Sequence, residues 1–173
     1  MPLDETGRGQ AHDLAERAAA HDFRVLWCSP LLRARETADI VAARIGLEPR
    51  EDARLMETDA GDWTDRSFID VRGEAPELFD AFASADSAFA FPGGESFVEQ
   101  DLRVNAALVE IETGELPALI VCHGMVIRAA LTHRAGHRSE RFERVPNAAL
   151  VPLDPTTVEH TADLGGGAAT TPS

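Results

Sequence analysis

Lysine and tyrosine are absent from this chain of 173 residues, and all 16 positive side chains are arginine. Aspartate and glutamate together number 30, so the formal net charge is −14. A chain this acidic repels nucleic acid and anionic membrane surfaces at long range, and we expect neither as a partner. It also repels a phosphorylated substrate, so a phosphate site needs a local group of arginine and histidine side chains.

Long apolar runs and cysteine are scarce as well. No apolar run approaches the roughly 20 residues of a membrane-spanning helix, and no segment has the pattern of a signal peptide. The two cysteines provide no disulfide framework, which is typical of a reducing compartment, so we predict a cytoplasmic protein. The length predicts one domain over residues 1–163, and residues 164–173, rich in glycine, alanine and threonine, predict a disordered tail. No pattern predicts an oligomeric state.

The sequence that is present alternates between strand-like and helix-like segments. Two short apolar runs, residues 23–28 and 119–122, predict strands buried on both faces, and residues 148–153 predict a further strand. Apolar spacing predicts helices ending near residue 21 and covering residues 30–45, 96–113 and 125–133, with less regular helical structure over 66–90. Residues 50–56 are expected to be extended, and residues 158–161 predict an edge strand. This alternation predicts a three-layer α/β sandwich with a mostly parallel central sheet.

Arg33 is the first candidate for binding an anion. Ser29 can cap the helix that follows the first strand, and Pro30 fits its first position, so Arg33 lies near the helix N-terminus. Its guanidinium can bind two phosphate oxygens at once. The alternative is a surface salt bridge to a neighbouring acid such as Glu36. In open α/β sheets ligands bind beyond the carboxyl ends of strands, which favours the anion site.

His123 directly follows the second apolar run and precedes Gly124. A neutral histidine there can accept a proton and a charged one can hold an oxyanion, whereas the alternative is a core histidine bonded to a backbone carbonyl. Gly124 favours a functional role because its missing side chain lets backbone N–H groups approach a ligand. Cys122 points to the opposite face of the strand, so it cannot form a nucleophilic pair with His123.

Glu57 begins a short acidic segment that includes Asp59 and Asp62 and ends at Trp63. A carboxyl group beside an indole in a half-buried loop can have a raised pKa and act as a general acid. The three acids can alternatively hold a divalent metal or form a solvated loop. Residues 92–96 have glycines without the lysine and spacing of a P-loop, and they predict a helix-initiating turn with Glu95 or Ser96 near the site.

Five segments in this order resemble the histidine phosphatase superfamily, which has the phosphoglycerate-mutase-like fold. They are residues 2–11, 29–38, 55–63, 92–96 and 121–128. The resemblance implies a small phosphorylated substrate and no cofactor or metal. It implies catalytic roles for Arg33, Glu57 and His123, with Glu57 as proton donor, and substrate binding by Arg33, His123, Gly124 and Met125.

One family motif does not occur. The family's nucleophilic histidine lies in an Arg-His-Gly motif at the end of a first strand that is internal to the sheet, and residues 1–173 contain no such tripeptide. We therefore expect a sheet without its first strand and a chain that is inactive or nearly so as given. We hypothesise that Met1 is an internal methionine of a longer natural protein, which would make this chain truncated.

The sequence favours a phosphomonoester hydrolase that acts through a phosphohistidine, although this chain shows no nucleophile for it. The first alternative is an inactive relative that binds phosphorylated ligands or partners. The others are phosphoglycerate-mutase-type phosphoryl transfer and metal-dependent chemistry at Glu57, Asp59 and Asp62. Phosphatase is preferred to mutase because little chain separates the acidic segment from residues 92–96. The identity of the substrate is not encoded in any pattern that we can interpret.

Overall fold

The structure is a computed structural model, and it describes residues 1–135 and 145–153. The described chain contains six α-helices and three β-strands, with short 3-10 turns at Ala53–Leu55 and Gly61–Trp63. The elements are α1 (Glu5–Ala18), β1 (Val25–Cys28), α2 (Leu32–Ile45), β2 (Pro49–Glu51), α3 (Phe68–Glu74), α4 (Pro76–Ala83), α5 (Phe97–Glu112), β3 (Ala118–Val121) and α6 (Gly124–Ala135). In this part of the chain no helix is both long and apolar enough to cross a membrane.

The three strands form one parallel sheet in the order β2-β1-β3. In the register of β1 against β3, Val25 lies opposite Ala118 and Cys28 opposite Val121. The carboxyl ends of these two strands therefore lie side by side. The sheet confirms the predicted parallel arrangement, with β1 between the other two strands.

Helices cover both faces of the sheet, and this confirms the predicted sandwich. Alternate strand residues Leu26, Cys28, Leu119 and Val121 pack against α1 and α2. The intervening residues Trp27, Ile120 and Cys122 pack against α5 and α6. Such alternation is what the two faces of a β-strand require. Within α2, the predicted core residues Ala34, Ala38 and Val41 are buried.

Aromatic side chains form a third cluster outside the two layers. Trp63, Phe82, Phe89, Phe91 and Phe97 are buried together, and the Trp63 ring contacts Phe91 edge to face at 5.3 Å between centroids. The cluster fixes the chain between the acidic segment and α5. It accounts for the predicted irregular helical region, which consists of α3, α4 and their connections.

Local hydrogen bonds define several helix ends. Asp4 caps α1 by accepting from the Gly7 N–H at 2.7 Å. Ser96 and Glu99 form a reciprocal capping box at the start of α5, as expected for a serine followed three residues later by glutamate. The predicted capping of α2 by Ser29 is wrong: the N-cap residue is Leu31, and no side chain caps it. The Ser29 hydroxyl instead contacts His123, which lies 94 residues further along the chain.

The strand predicted at residues 148–153 is also absent from the described structure. Ala148 has a left-handed φ of 53°, and the Ala149 N–H donates to the Pro146 carbonyl at 3.2 Å, which closes a turn. The Ala149 N–H is thus bonded within its own segment, whereas in a strand it would pair with a neighbouring strand. The predicted edge strand at 158–161 and the predicted tail lie outside the described residues, and the single-domain assignment stays a prediction.

Candidate functional site

The site lies where β1 and β3 end. Ser29 follows β1 and His123 comes two residues after β3, so the sheet brings together two residues that are distant in sequence. Their side chains meet through a hydrogen bond of 2.8 Å between His123 Nε2 and Ser29 Oγ. Ser29 is fully buried and His123 is 6% exposed. Prediction of His123 as a strand-end residue is thus confirmed in position, although its catalytic role stays a prediction.

The tautomer of His123 follows from the hydrogen bonds of Ser29. Oγ already accepts from the Leu31 N–H at 3.2 Å. A buried hydroxyl proton needs an acceptor, and His123 Nε2 is the acceptor next to it. We therefore assign the hydroxyl as donor to Nε2, which leaves the proton of the neutral ring on Nδ1.

His123 is uncharged at neutral pH. Burial, together with the positive charges of Arg33 and Arg103, lowers the pKa of His123 to about 4. A neutral imidazole is a proton acceptor, and an arriving anion would favour its charged form.

Glu57 has the opposite perturbation. Burial raises the pKa of its carboxyl group, while the Thr58 N–H, the Arg33 charge and the Met125 N–H lower it to a smaller extent. The Thr58 N–H donates to Glu57 Oε1 at 3.0 Å. A carboxyl group with a raised pKa retains its proton closer to neutral pH, as a general acid must.

Arg33 lies in the first turn of α2 and is exposed. It is close enough to Glu57 and His123 for its charge to lower the pKa of both. Its neighbour Arg35 instead pairs with Asp39 and Glu51 on the surface. Arg33 is therefore the arginine of α2 that faces the site.

The first residues of α6 complete the site. Gly124 begins the helix, and the next N–H, that of Met125, interacts with the Glu57 carboxyl group. A Cβ at Gly124 would meet no atom within 4 Å, so this glycine borders open space. The helix N-terminus adds partial positive charge where an anion would lie.

The two other acids of the segment do not join Glu57. Asp59 Oδ1 accepts from the Gly61 N–H at 2.9 Å, which closes a local turn. Nowhere in residues 1–135 and 145–153 do three or more histidine, cysteine or acidic side chains converge in a way that could hold a metal ion. The geometry therefore does not assemble Glu57, Asp59 and Asp62 into a set of metal ligands.

Arg103 is a site residue that the sequence interpretation missed. It lies on α5, and its guanidinium binds the Glu95 carboxylate through Nε at 2.5 Å and Nη2 at 2.7 Å. The sequence feature that could have indicated this pair is the position of Glu95 just before a predicted helix, with Arg103 two turns further along that helix. Glu95 was expected near the site. It is bound to Arg103, and both residues line the same cavity as Glu57.

A cavity of about 520 Å³ borders the site on the side of Glu57. Its lining combines the acidic segment, the Gly93-Gly94 turn and one side of α5, with Glu57, Asp59, Glu95, Glu99 and Arg103 as the ionisable residues. Arg33 and His123 do not line it. Glu57 is thus the residue that the strand-end site and this cavity share.

Comparison with known proteins defines the class. The family model of the histidine phosphatase superfamily (branch 1) matches residues 1–163. The probable phosphoglycerate mutase GpmB of Yersinia pestis is 32% identical over 158 residues, which cover 88% of this chain and 73% of that protein.

Solved structures agree with this class. The mycobacterial glucosyl-3-phosphoglycerate phosphatase superposes with a TM-score of 0.71 at 30% identity, covering 85% of this chain and 70% of that one. YhfR of Bacillus stearothermophilus gives a TM-score of 0.72 at 30% identity over 80% of this chain and 70% of its own. The chain belongs to the histidine phosphatase superfamily, and its fold is phosphoglycerate-mutase-like.

Proposed function

We propose that this chain has the substrate site of a phosphomonoester hydrolase. Arg33, His123 and the N–H groups at Gly124 and Met125 would bind the phosphoryl group, and Glu57 would protonate the leaving oxygen. The observation that carries the proposal is the Glu57 carboxyl group, whose pKa is raised by burial beside an arginine and a helix N-terminus. A carboxyl group with a raised pKa next to an anion site is suited to donate a proton to an ester oxygen.

The proposed chemistry breaks the bond between phosphorus and the ester oxygen. The proton of Glu57 moves to that oxygen, which leaves as an alcohol, and the phosphoryl group passes to a nucleophile. In the superfamily mechanism that nucleophile is a histidine, and water then releases phosphate from the phosphohistidine. Residues 1–173 contain no Arg-His-Gly motif to supply it, so this chain provides binding and proton donation and no assigned nucleophile.

The relatives support a small phosphorylated substrate. Structures of the mycobacterial phosphatase contain vanadate or inorganic phosphate, and the α-ribazole phosphatase of Shigella flexneri superposes at 31% identity. We favour hydrolysis over mutase-type transfer because only residues 64–91 separate the acidic segment from the next motif. Two cysteines without a disulfide bond are consistent with a cytoplasmic site of action.

A second function has its own supporting observation. Without the Arg-His-Gly motif, the same residues would make a module that binds phosphorylated ligands and does not turn them over.

Calorimetric titration and phosphate release, measured on the same protein, separate these functions. We expect saturable binding of inorganic phosphate, and slow release of phosphate from an alkyl and an aryl phosphomonoester. Release would favour the hydrolase. Binding without release would favour the binding module, and the absence of binding would refute both.

Where release is measurable, Glu57→Gln tests the proton donor. The variant should slow the alkyl ester far more than the activated aryl ester, because only the poor leaving group needs the proton. Equal slowing of both esters would remove Glu57 from that role.

A further inference from the structure

Arg103 binds more partners than a surface arginine usually does. Besides its two contacts with the Glu95 carboxylate, Nη1 donates to the Arg54 carbonyl at 2.7 Å and to the Met56 carbonyl at 2.8 Å. Its side chain is 21% exposed, so these bonds are partly shielded from water. One guanidinium therefore joins α5 to two separate loops.

The two loops meet on either side of Glu57. One of them, residues 54–56, runs directly into Glu57. The other, residues 92–95, is bonded to the backbone beyond it: the Glu95 N–H donates to the Asp59 carbonyl at 2.9 Å, and the Asp62 N–H donates to the Pro92 carbonyl at 2.8 Å. The backbone of Glu57 is thus held before and after by chain that Arg103 contacts.

Close packing makes this arrangement rigid. A Cβ at Gly94 would lie 2.4 Å from the Asp59 carbonyl oxygen, so the two backbones are already in contact. A loop that is anchored at both ends has few alternative conformations for the side chain between them.

We propose that Arg103 is a positioning residue for Glu57, which it holds in its half-buried position by binding the Arg54 and Met56 carbonyls and the Glu95 carboxylate together. The inference rests on the proposed role of Glu57 as proton donor. Arg103 does not itself need to contact the substrate, because its donors already serve these protein acceptors. Lysine cannot replace it, since an ammonium group lacks the planar set of donors that serves several acceptors at once.

The pKa of Glu57 distinguishes two effects of changing Arg103: loss of a nearby positive charge, and movement of the Glu57 side chain. Arg33 faces Glu57 from α2 and Arg103 from α5, while Cys122 lies near it at the end of β3. Asp59, Glu95 and Glu99 line the same cavity. Removal of the Arg103 charge alone would raise the pKa of Glu57. Release of Glu57 into water would lower that pKa, because burial is what raises it.

The variant Arg103→Lys keeps the positive charge and removes most of the hydrogen bonds to Arg54, Met56 and Glu95. It therefore tests the effect on the position of Glu57 alone. Carbon-13 NMR of labelled glutamate carboxyl groups would follow the titration of Glu57, with its signal assigned by Glu57→Gln. We expect Arg103→Lys to lower the pKa of Glu57 and to speed amide exchange in residues 57–62 by about tenfold or more. Arg44→Lys is the matched control, because Arg44 forms the same kind of bidentate ion pair, with Glu16, at the far end of α2.

An unchanged Glu57 titration and unchanged exchange in Arg103→Lys would overturn the proposal. If that variant does not fold, Glu95→Gln serves instead, since it weakens one anchor and retains Arg103. Faster exchange confined to residues 57–62 would then support the proposal, and exchange at the wild-type rate would refute it. Both measurements use protein without substrate, so a failure of the phosphatase assay leaves their result unaffected.

Discussion

Replacement of His123 by glutamine should flatten the dependence of stability on pH. His123 is buried and neutral, and its pKa falls from 6.5 to about 4 on folding. Below pH 6.5 the unfolded chain takes up a proton at this residue, whereas the folded chain resists protonation until about pH 4. The folded state is therefore penalised as the pH falls through this window, and above it the residue has no effect.

The expected size follows from the two pKa values. Between pH 7 and pH 5 the linkage relation gives a loss of about 2 kcal/mol from His123 alone. Glutamine does not titrate, and its amide can still reach the Ser29 hydroxyl. Glu57 is present in both proteins, so its opposite contribution cancels in the difference between them.

Urea denaturation of both proteins at pH 7 and pH 5 measures this difference. The wild type should lose about 2 kcal/mol more than His123→Gln over that interval. The same substitution at His12, which is exposed on α1, controls for the loss of a histidine in general. Equal losses in the wild type and His123→Gln would refute the assignment of a buried, neutral His123.

Two further substitutions test the packing and the charge of the site. Gly94→Ala should destabilise the fold by about 2–3 kcal/mol, since its Cβ would lie 2.4 Å from a backbone oxygen. Gly9→Ala, in an open position of α1, should stabilise it by about 0.5–1 kcal/mol, and similar melting curves for the two would contradict this account. Arg33→Ala should weaken the binding of inorganic phosphate about 10–100-fold in calorimetry, through loss of a contact of about 1.5–3 kcal/mol. Arg35→Ala, which removes a paired surface charge, should leave the affinity nearly unchanged, and equal weakening by both would exclude a specific role for Arg33.

Much of the fold was predictable because its signals are local. The apolar runs of β1 and β3 and the helical spacing of Ala34, Ala38 and Val41 each depend on a few neighbouring residues. The predicted strand at residues 148–153 was wrong for a related reason. Its apolar composition fits a strand. The left-handed conformation of Ala148 and the turn to Pro146 are instead set by the tertiary structure around them, which local composition does not encode.

Three candidate site residues could be named from the sequence, whereas Arg103 and the contacts between distant residues could not. Arg33, Glu57 and His123 occupy segment ends that the sequence marks. The pairing of Ser29 with His123 and the bonds of Arg103 to Arg54 and Met56 join residues 94, 49 and 47 positions apart. No local pattern encodes such contacts, because they arise only when the strands have assembled.

The charges around the site are partly neutralised although the chain as a whole is strongly acidic. Burial keeps His123 uncharged and favours the protonated form of Glu57, and the charge of Arg103 is balanced by Glu95. Arg33 is then the cation left facing the site among these residues, and its exposure on α2 makes it the first contact for an approaching anion. An anion bound there would raise the pKa of His123 and draw a second positive charge into the site. Protonation of His123 on binding would then add to the affinity that Arg33 provides, whereas a permanently charged His123 would have to be buried without a partner.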